Sequence, residues 1–177
     1  EKEPPGLLAG LVFLGVAAAL VAVIFETLGT GVLSAFVQQD EPAYTIILAF
    51  LVVAVVEEGA KFLFLLWRTW RDPNFNYRFD GIVYAVFLSL GFAAFENISY
   101  VMGYGLSAAL YRALLAIPAH MGFAVFMGLF YARAKRCSDE GNVFGKRLNL
   151  WAAFLTAVFL HGFYDACAMM GTVLSTL

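Results

Sequence analysis

Glu57-Glu58-Gly59-Ala60-Lys61 places two adjacent carboxylates, and an ammonium one turn later, inside the apolar run 44–67. Lys61 is i+4 from Glu57 and i+3 from Glu58, so on a helix it reaches either carboxylate along one face. The run is long enough to cross a hydrocarbon core of about 30 Å, which takes about 20 helical residues. An ionised group at that depth costs at least about 2.5–3.5 kcal/mol, so it is read first as part of a functional site. Three further apolar runs carry polar residues of their own. Glu96 is followed by Tyr100 at i+4, Arg112 and His120 flank Pro118, and His161 is followed by Asp165 at i+4. At about 1.5 Å per residue, Glu57, Glu58, Glu96, His120, His161 and Asp165 all fall within roughly 8 Å of the membrane midplane. Groups from four spans at one depth face a bundle interior or a water-filled cavity.

Charge narrows the chemistry. Glu57, Glu58, Glu96 and Asp165 bring four potential negative charges against one from Lys61. Four ionised carboxylates cannot share a dry site. Either some hold protons, which makes a general acid–base pair, or a bound cation offsets them, which makes a metal site. Both outcomes lead towards hydrolysis. Glu57 is the choice for the base that activates water, with Glu58 holding the water or protonating the leaving amine. The plainer reading of the pair is buried carboxyls hydrogen-bonded between helices. Lys61 tunes and positions both. His161, its tautomer set by Asp165, and His120 suit oxyanion stabilisation or metal ligation; a single membrane histidine is otherwise an interhelical hydrogen bonder. Two histidines and a carboxylate are also a hydrolytic zinc set, so Glu57, Glu96, His120 and His161 are the candidate ligands of one Zn2+. Tyr100 can donate to a substrate carbonyl or simply sit at the interface. Arg112 can pair with Glu96, guide substrate or anchor its helix. Glu26 reads as an interfacial residue at the outer end of the first span.

The elements that must position these groups follow from composition. The chain of 177 residues is 62% hydrophobic and 14% charged, against about 45–50% and 25% in soluble domains. Its mean hydropathy is +0.82. The expected fold is all-α: one polytopic membrane bundle over 1–177, with spans of about 7–28, 44–67, 81–102, 110–132 and 148–172. Gly29-Thr30-Gly31 signals a break before a short interfacial helix over 32–39, Gly103-Tyr104-Gly105 a link, and Pro118 a bend. Gly6-x-x-x-Gly10 fits a small-residue packing motif. A start at Glu1 rather than Met suggests a processed or shortened chain.

Lys2, Arg68, Arg71, Arg78, Arg133, Lys135, Arg136, Lys146 and Arg147 gather at one end of the bundle. By the positive-inside rule the N-terminus is cytoplasmic and the C-terminus outside, in the plasma membrane. With no basic face, nucleic acid is not an expected partner. Cys137 and Cys167 have neither disulfide nor metal spacing, and HExxH, GxSxG, P-loop and dinucleotide signatures are absent. The oligomeric state is left open.

Glu57-Glu58-x-x-Lys61, Phe95-Glu96-x-x-x-Tyr100, Pro118-Ala119-His120 and His161-x-x-x-Asp165, in that order on four apolar spans, resemble the PrsW family of membrane-embedded proteases. More distantly they resemble the type II CAAX-processing endopeptidases, which carry arginine one position after Lys61 and asparagine in place of Asp165. The resemblance implies an endopeptidase acting on membrane-anchored proteins, by a metal-dependent or a glutamate-dependent mechanism. Two other classes compete with it. An ion or proton transporter also uses mid-depth carboxylates and histidines, but the paired repeats common in transporters are not evident. The other is a non-catalytic membrane partner built on a protease scaffold.

Overall fold

The computed structural model describes residues 3–175, so Lys2 of the basic set lies outside it. Helix α1 spans Pro5–Phe36, with proline at the first position, where a missing N–H costs nothing. It runs straight through Gly29-Thr30-Gly31 instead of breaking there. The reason is packing from the next segment. A Cβ on Gly29 would lie 2.9 Å from Cγ1 of Val52, and Leu33 closes a small cluster with Tyr44 and Val52. A helical glycine costs only about 1 kcal/mol relative to alanine, which such contacts outweigh.

The expected crossing at 44–67 is helical but not uniform. Helix α2, Pro42–Ile47, passes into a π-helical stretch, Leu48–Ala54, and then into α3, Val55–Thr69. The Val55 N–H bonds back to the Phe50 carbonyl, five residues earlier. Phe50 lies against Gly162, where a Cβ would meet its ring at 2.5 Å. A π turn accommodates an extra residue and rotates the side chains that follow it, and such turns cluster at functional sites. Here the rotated residues begin two positions before Glu57.

Helix α4 spans Asp80–Tyr104, α5 Leu106–Asp139 and α6 Val143–Ser175. Gly105, at φ 86°, turns α4 directly into α5, so that helix starts at Leu106, four residues before the expected 110. Helix α5 continues unbroken through Pro118. Among the described residues four helices are individually long and apolar enough to cross a membrane: α1, α4, Arg112–Asp139 of α5 and Val143–Gly171 of α6. The segmented α2–α3 run supplies the fifth helical rod, and no strand occurs among the described residues. Large apolar side chains such as Phe13, Leu51, Leu114 and Phe159 point outward, as lipid requires. This is an all-α, multi-pass membrane protein.

Lipid offers no hydrophobic drive for helix association, so close packing at small residues does that work. A Cβ on Gly15 would strike the Leu88 carbonyl, and one on Gly91 the Val12 carbonyl, which locks α1 to α4. Gly81 and Gly128 do the same between α4 and α5. Gly6 and Gly10 face open space. The basic end is filled by Leu65, Phe75, Tyr84 and Tyr131, and there the Tyr131 and Thr69 hydroxyls meet at 2.8 Å.

Candidate active site

Helix α3 brings Glu57, Glu58 and Lys61 to the bundle axis, where they are 3%, 1% and 2% exposed; His120 on α5 is 5% exposed and His161 on α6 2%. Residues this polar stay buried only if they satisfy one another. Lys61 Nζ donates to Glu57 Oε2 at 3.2 Å, to Glu58 Oε1 at 2.8 Å and to His120 Nδ1 at 3.1 Å. It also lies 3.9 Å from the centre of the Phe92 ring. One ammonium thus ties together two helices and both carboxylates.

The histidines are held in parallel ways. His120 Nε2 meets Glu96 Oε2 at 2.8 Å, and His161 Nε2 meets Asp165 Oδ2 at 3.2 Å. Each ring therefore has a carboxylate behind it and its Nδ1 turned to the centre, His161 Nδ1 being 2.8 Å from Glu58 Oε1. Accepting from Lys61 at Nδ1 makes His120 the tautomer protonated on Nε2. The two rings meet edge to face with centroids 5.0 Å apart, and Phe123 stacks on His161 at 5.1 Å. Behind Glu96, Arg112 Nη2 donates to Oε2 at 3.3 Å while its guanidinium lies 3.6 Å from the Tyr100 ring centre.

Every residue singled out in the sequence for chemistry is thus in one connected network: Glu57, Glu58, Lys61, Glu96, Tyr100, Arg112, His120, His161 and Asp165. Its internal order differs from the expected zinc set. The tight group is Glu57, Glu58, His120 and His161, with ligand atoms within 4.8 Å of one another. Glu96 instead backs His120. Three residues were not anticipated. Glu26 is not merely interfacial: with Glu57, Glu96 and Tyr100 it lines a cavity of about 160 Å3 between α1, α3 and α4, room for several waters. Ser89 donates to the His120 carbonyl at 3.1 Å and fixes α5 against α4. Phe123, one turn beyond His120, braces His161. Phe123 was signalled by its i+3 spacing from His120 and Glu26 by its charge at the end of an apolar run, read as interfacial because the helix was expected to break at Gly29-Thr30-Gly31; Ser89 had no signal.

Residues 3–177 match the family described as PrsW family intramembrane metalloprotease. The chain belongs to the PrsW family. Relatives include Protease PrsW of Geobacillus kaustophilus, 41% identical over 117 residues, which are 66% of this chain and 50% of that protein. Protease PrsW of Clostridioides difficile is 39% identical over 129 residues, 71% of this chain and 53% of that one. The Bacillus subtilis protein of the same name is 37% identical over 117 residues, covering 66% and 52%. The chain spans about half the length of these curated PrsW relatives. No solved structure matches it.

The family description implies a metal, and the buried group suits one in kind. Two carboxylates and two imidazoles are a zinc-type donor set. Carboxylates behind the far nitrogens of both histidines are the outer partners that metal-bound histidines usually have. The centre of the group is, however, where the Lys61 ammonium makes its bonds, so a metal and that ammonium compete for Glu57, Glu58 and His120.

Proposed function

We propose that this PrsW-family chain is a membrane-embedded endopeptidase that hydrolyses peptide bonds of membrane-anchored proteins. The observation that carries the reading is the placement of Glu57. It is the member of the carboxylate pair that opens on the cavity, while Glu58 is engaged by both Lys61 and His161. Family membership favours hydrolysis over transport.

In the proposed reaction, Glu57 takes a proton from a cavity water as the oxygen attacks the scissile carbonyl. It then delivers that proton to the leaving amine. Lys61 holds the Glu57 carboxylate in place. His161, steadied by Asp165, stabilises the tetrahedral oxyanion, while His120, steadied by Glu96, accepts from Lys61 and positions that ammonium beside it. Glu58 keeps Lys61 and His161 together, and Tyr100 and Arg112 line the approach. If a metal binds, Glu57, Glu58, His120 and His161 hold it, and it polarises the carbonyl and acidifies water. The substrate segment is locally unwound, because helical peptide bonds are shielded by their own hydrogen bonds. We read 1–177 as a single domain in the plasma membrane, N-terminus in the cytoplasm and C-terminus outside.

Two measurements test this. In vesicles holding a membrane-anchored reporter, Glu57→Gln should cut cleavage by about 10^2–10^4-fold, the usual worth of a general base, with unchanged expression. Activity surviving the change would remove Glu57 from the mechanism. Metal analysis of purified wild type and His161→Ala separates the two chemistries. About one zinc per chain, lost in the variant, means a metallopeptidase; no metal in either means a glutamate–histidine hydrolase.

A further inference from the structure

At the basic end of the bundle a second polar site forms that has no contact with the carboxylates. The close approach of Gly81 to Gly128 and Ala132 brings the start of α4 against the end of α5. Asp80 Oδ2 accepts the backbone N–H groups of Asn76 at 3.0 Å and Tyr77 at 2.6 Å, which fixes the backbone just before Arg78. The result is a cavity of about 230 Å3 lined by Arg78, Arg133 and Arg136 together with Leu129 and Ala132.

The nearby acids are already committed. Glu140 takes Arg136 at 2.6 Å and Asp139 takes Lys135 at 2.9 Å. Among the described residues Arg78 and Arg133 have no carboxylate partner; Arg133 rests only on the Phe130 ring, at 5.5 Å. Two exposed guanidinium groups in one cleft, neither paired with a carboxylate, are free to take an anion, and their planar forks suit phosphate oxygens. The apolar wall indicates which kind. Phe126, Leu129, Arg133 and Arg136 follow one another at spacings of three and four along α5, a single helical stripe. It passes from lipid-exposed Phe126 to the arginines. A ligand matching that stripe has a phosphate at one end and hydrocarbon at the other.

We propose that this cleft binds an anionic phospholipid, its phosphate held by Arg78 and Arg133 with Arg136 at the edge, and an acyl chain lying along Leu129 and Phe126. Basic pockets between membrane helices are a known mode of headgroup recognition. The site is independent of the proposed peptidase activity.

The test uses the full chain in detergent, titrated with dioleoylphosphatidylglycerol, dioleoylphosphatidylcholine or inorganic phosphate, with bound lipid read by native mass spectrometry. Arg78→Gln/Arg133→Gln is compared with Arg71→Gln/Arg147→Gln, which removes the same charge from the same end outside the cleft. Wild type and the second variant should retain phosphatidylglycerol at least about tenfold better than the first, and phosphatidylcholine should bind more weakly in all. Equal loss in both variants would reduce the effect to general surface charge and overturn the proposal. So would undiminished binding in the first variant. Inorganic phosphate binding as tightly as phosphatidylglycerol would make this a soluble-anion site and overturn the lipid assignment.

Discussion

Lys61 is the residue on which the site's electrostatics turn. A bilayer interior tolerates Glu57 and Glu58 together because one ammonium reaches both, and His120 gives that ammonium a third partner. Removing one member of a buried ion pair typically costs about 3–5 kcal/mol, because the charge left behind is uncompensated. Lys61→Met should therefore lower the melting temperature in detergent markedly, and added ZnCl2 should restore much of it through the same donors. A variant as stable as wild type without zinc would mean that Glu57 and Glu58 do not depend on Lys61 for their charge. The participants at this scale were legible in the sequence because polar residues in apolar runs have few innocent explanations. Which nitrogen of each histidine faces the centre was not legible, since that depends on Glu96 and Asp165 arriving behind the rings.

Individual elements explain why those side chains converge. The α1–α4 crossing rests on glycine, and a methyl on Gly91 would run into the Val12 carbonyl. Overpacking of this kind costs about 1–3 kcal/mol, so Gly91→Ala should lower the melting temperature while Gly10→Ala, with open space around it, should not. Equal effects would show that α1 does not pack at this distance. The sequence motif Gly6-x-x-x-Gly10 pointed to the wrong pair, because glycine spacing does not say which helix face meets a neighbour. Outside the membrane, Asp72 staples the α3–α4 loop. Burial pushes its carboxyl pKa up, but the Asn74 N–H, the Arg68 guanidinium and the Asn74 amide outweigh this and hold it below the usual value. A folded-state pKa below the unfolded one, about 3.9, gives stability that is present above that pH and is lost as pH falls through the folded value. Acidifying from about pH 6 to 3 should thus lower the wild-type melting temperature more than that of Asp72→Asn. Parallel curves would remove Asp72 from the acid response.

For the whole molecule, the basic residues at one end set an expected orientation. An alkaline phosphatase fused after Leu177 should be active outside the cell, and a fluorescent protein inserted between Glu140 and Gly141 should light up in the cytoplasm. The opposite pattern would invert the topology. At this scale the chain spans about half the length of its PrsW relatives.

By itself the sequence determined the all-α membrane class and marked the polar residues that the fold brings together, because both follow from local quantities: hydropathy over about 20 residues and the types and spacing of polar groups within a span; the family was legible separately, in the resemblance of four motifs. It did not determine the π-helical entry to α3, the unbroken run of α1 past Gly31, or the place of Glu26 on the cavity. Those depend on Phe50 meeting Gly162, Val52 meeting Gly29, and α1 crossing α4 at Gly15 and Gly91. Contacts between residues far apart in the chain leave no periodic trace in it, and only the tertiary structure decides them.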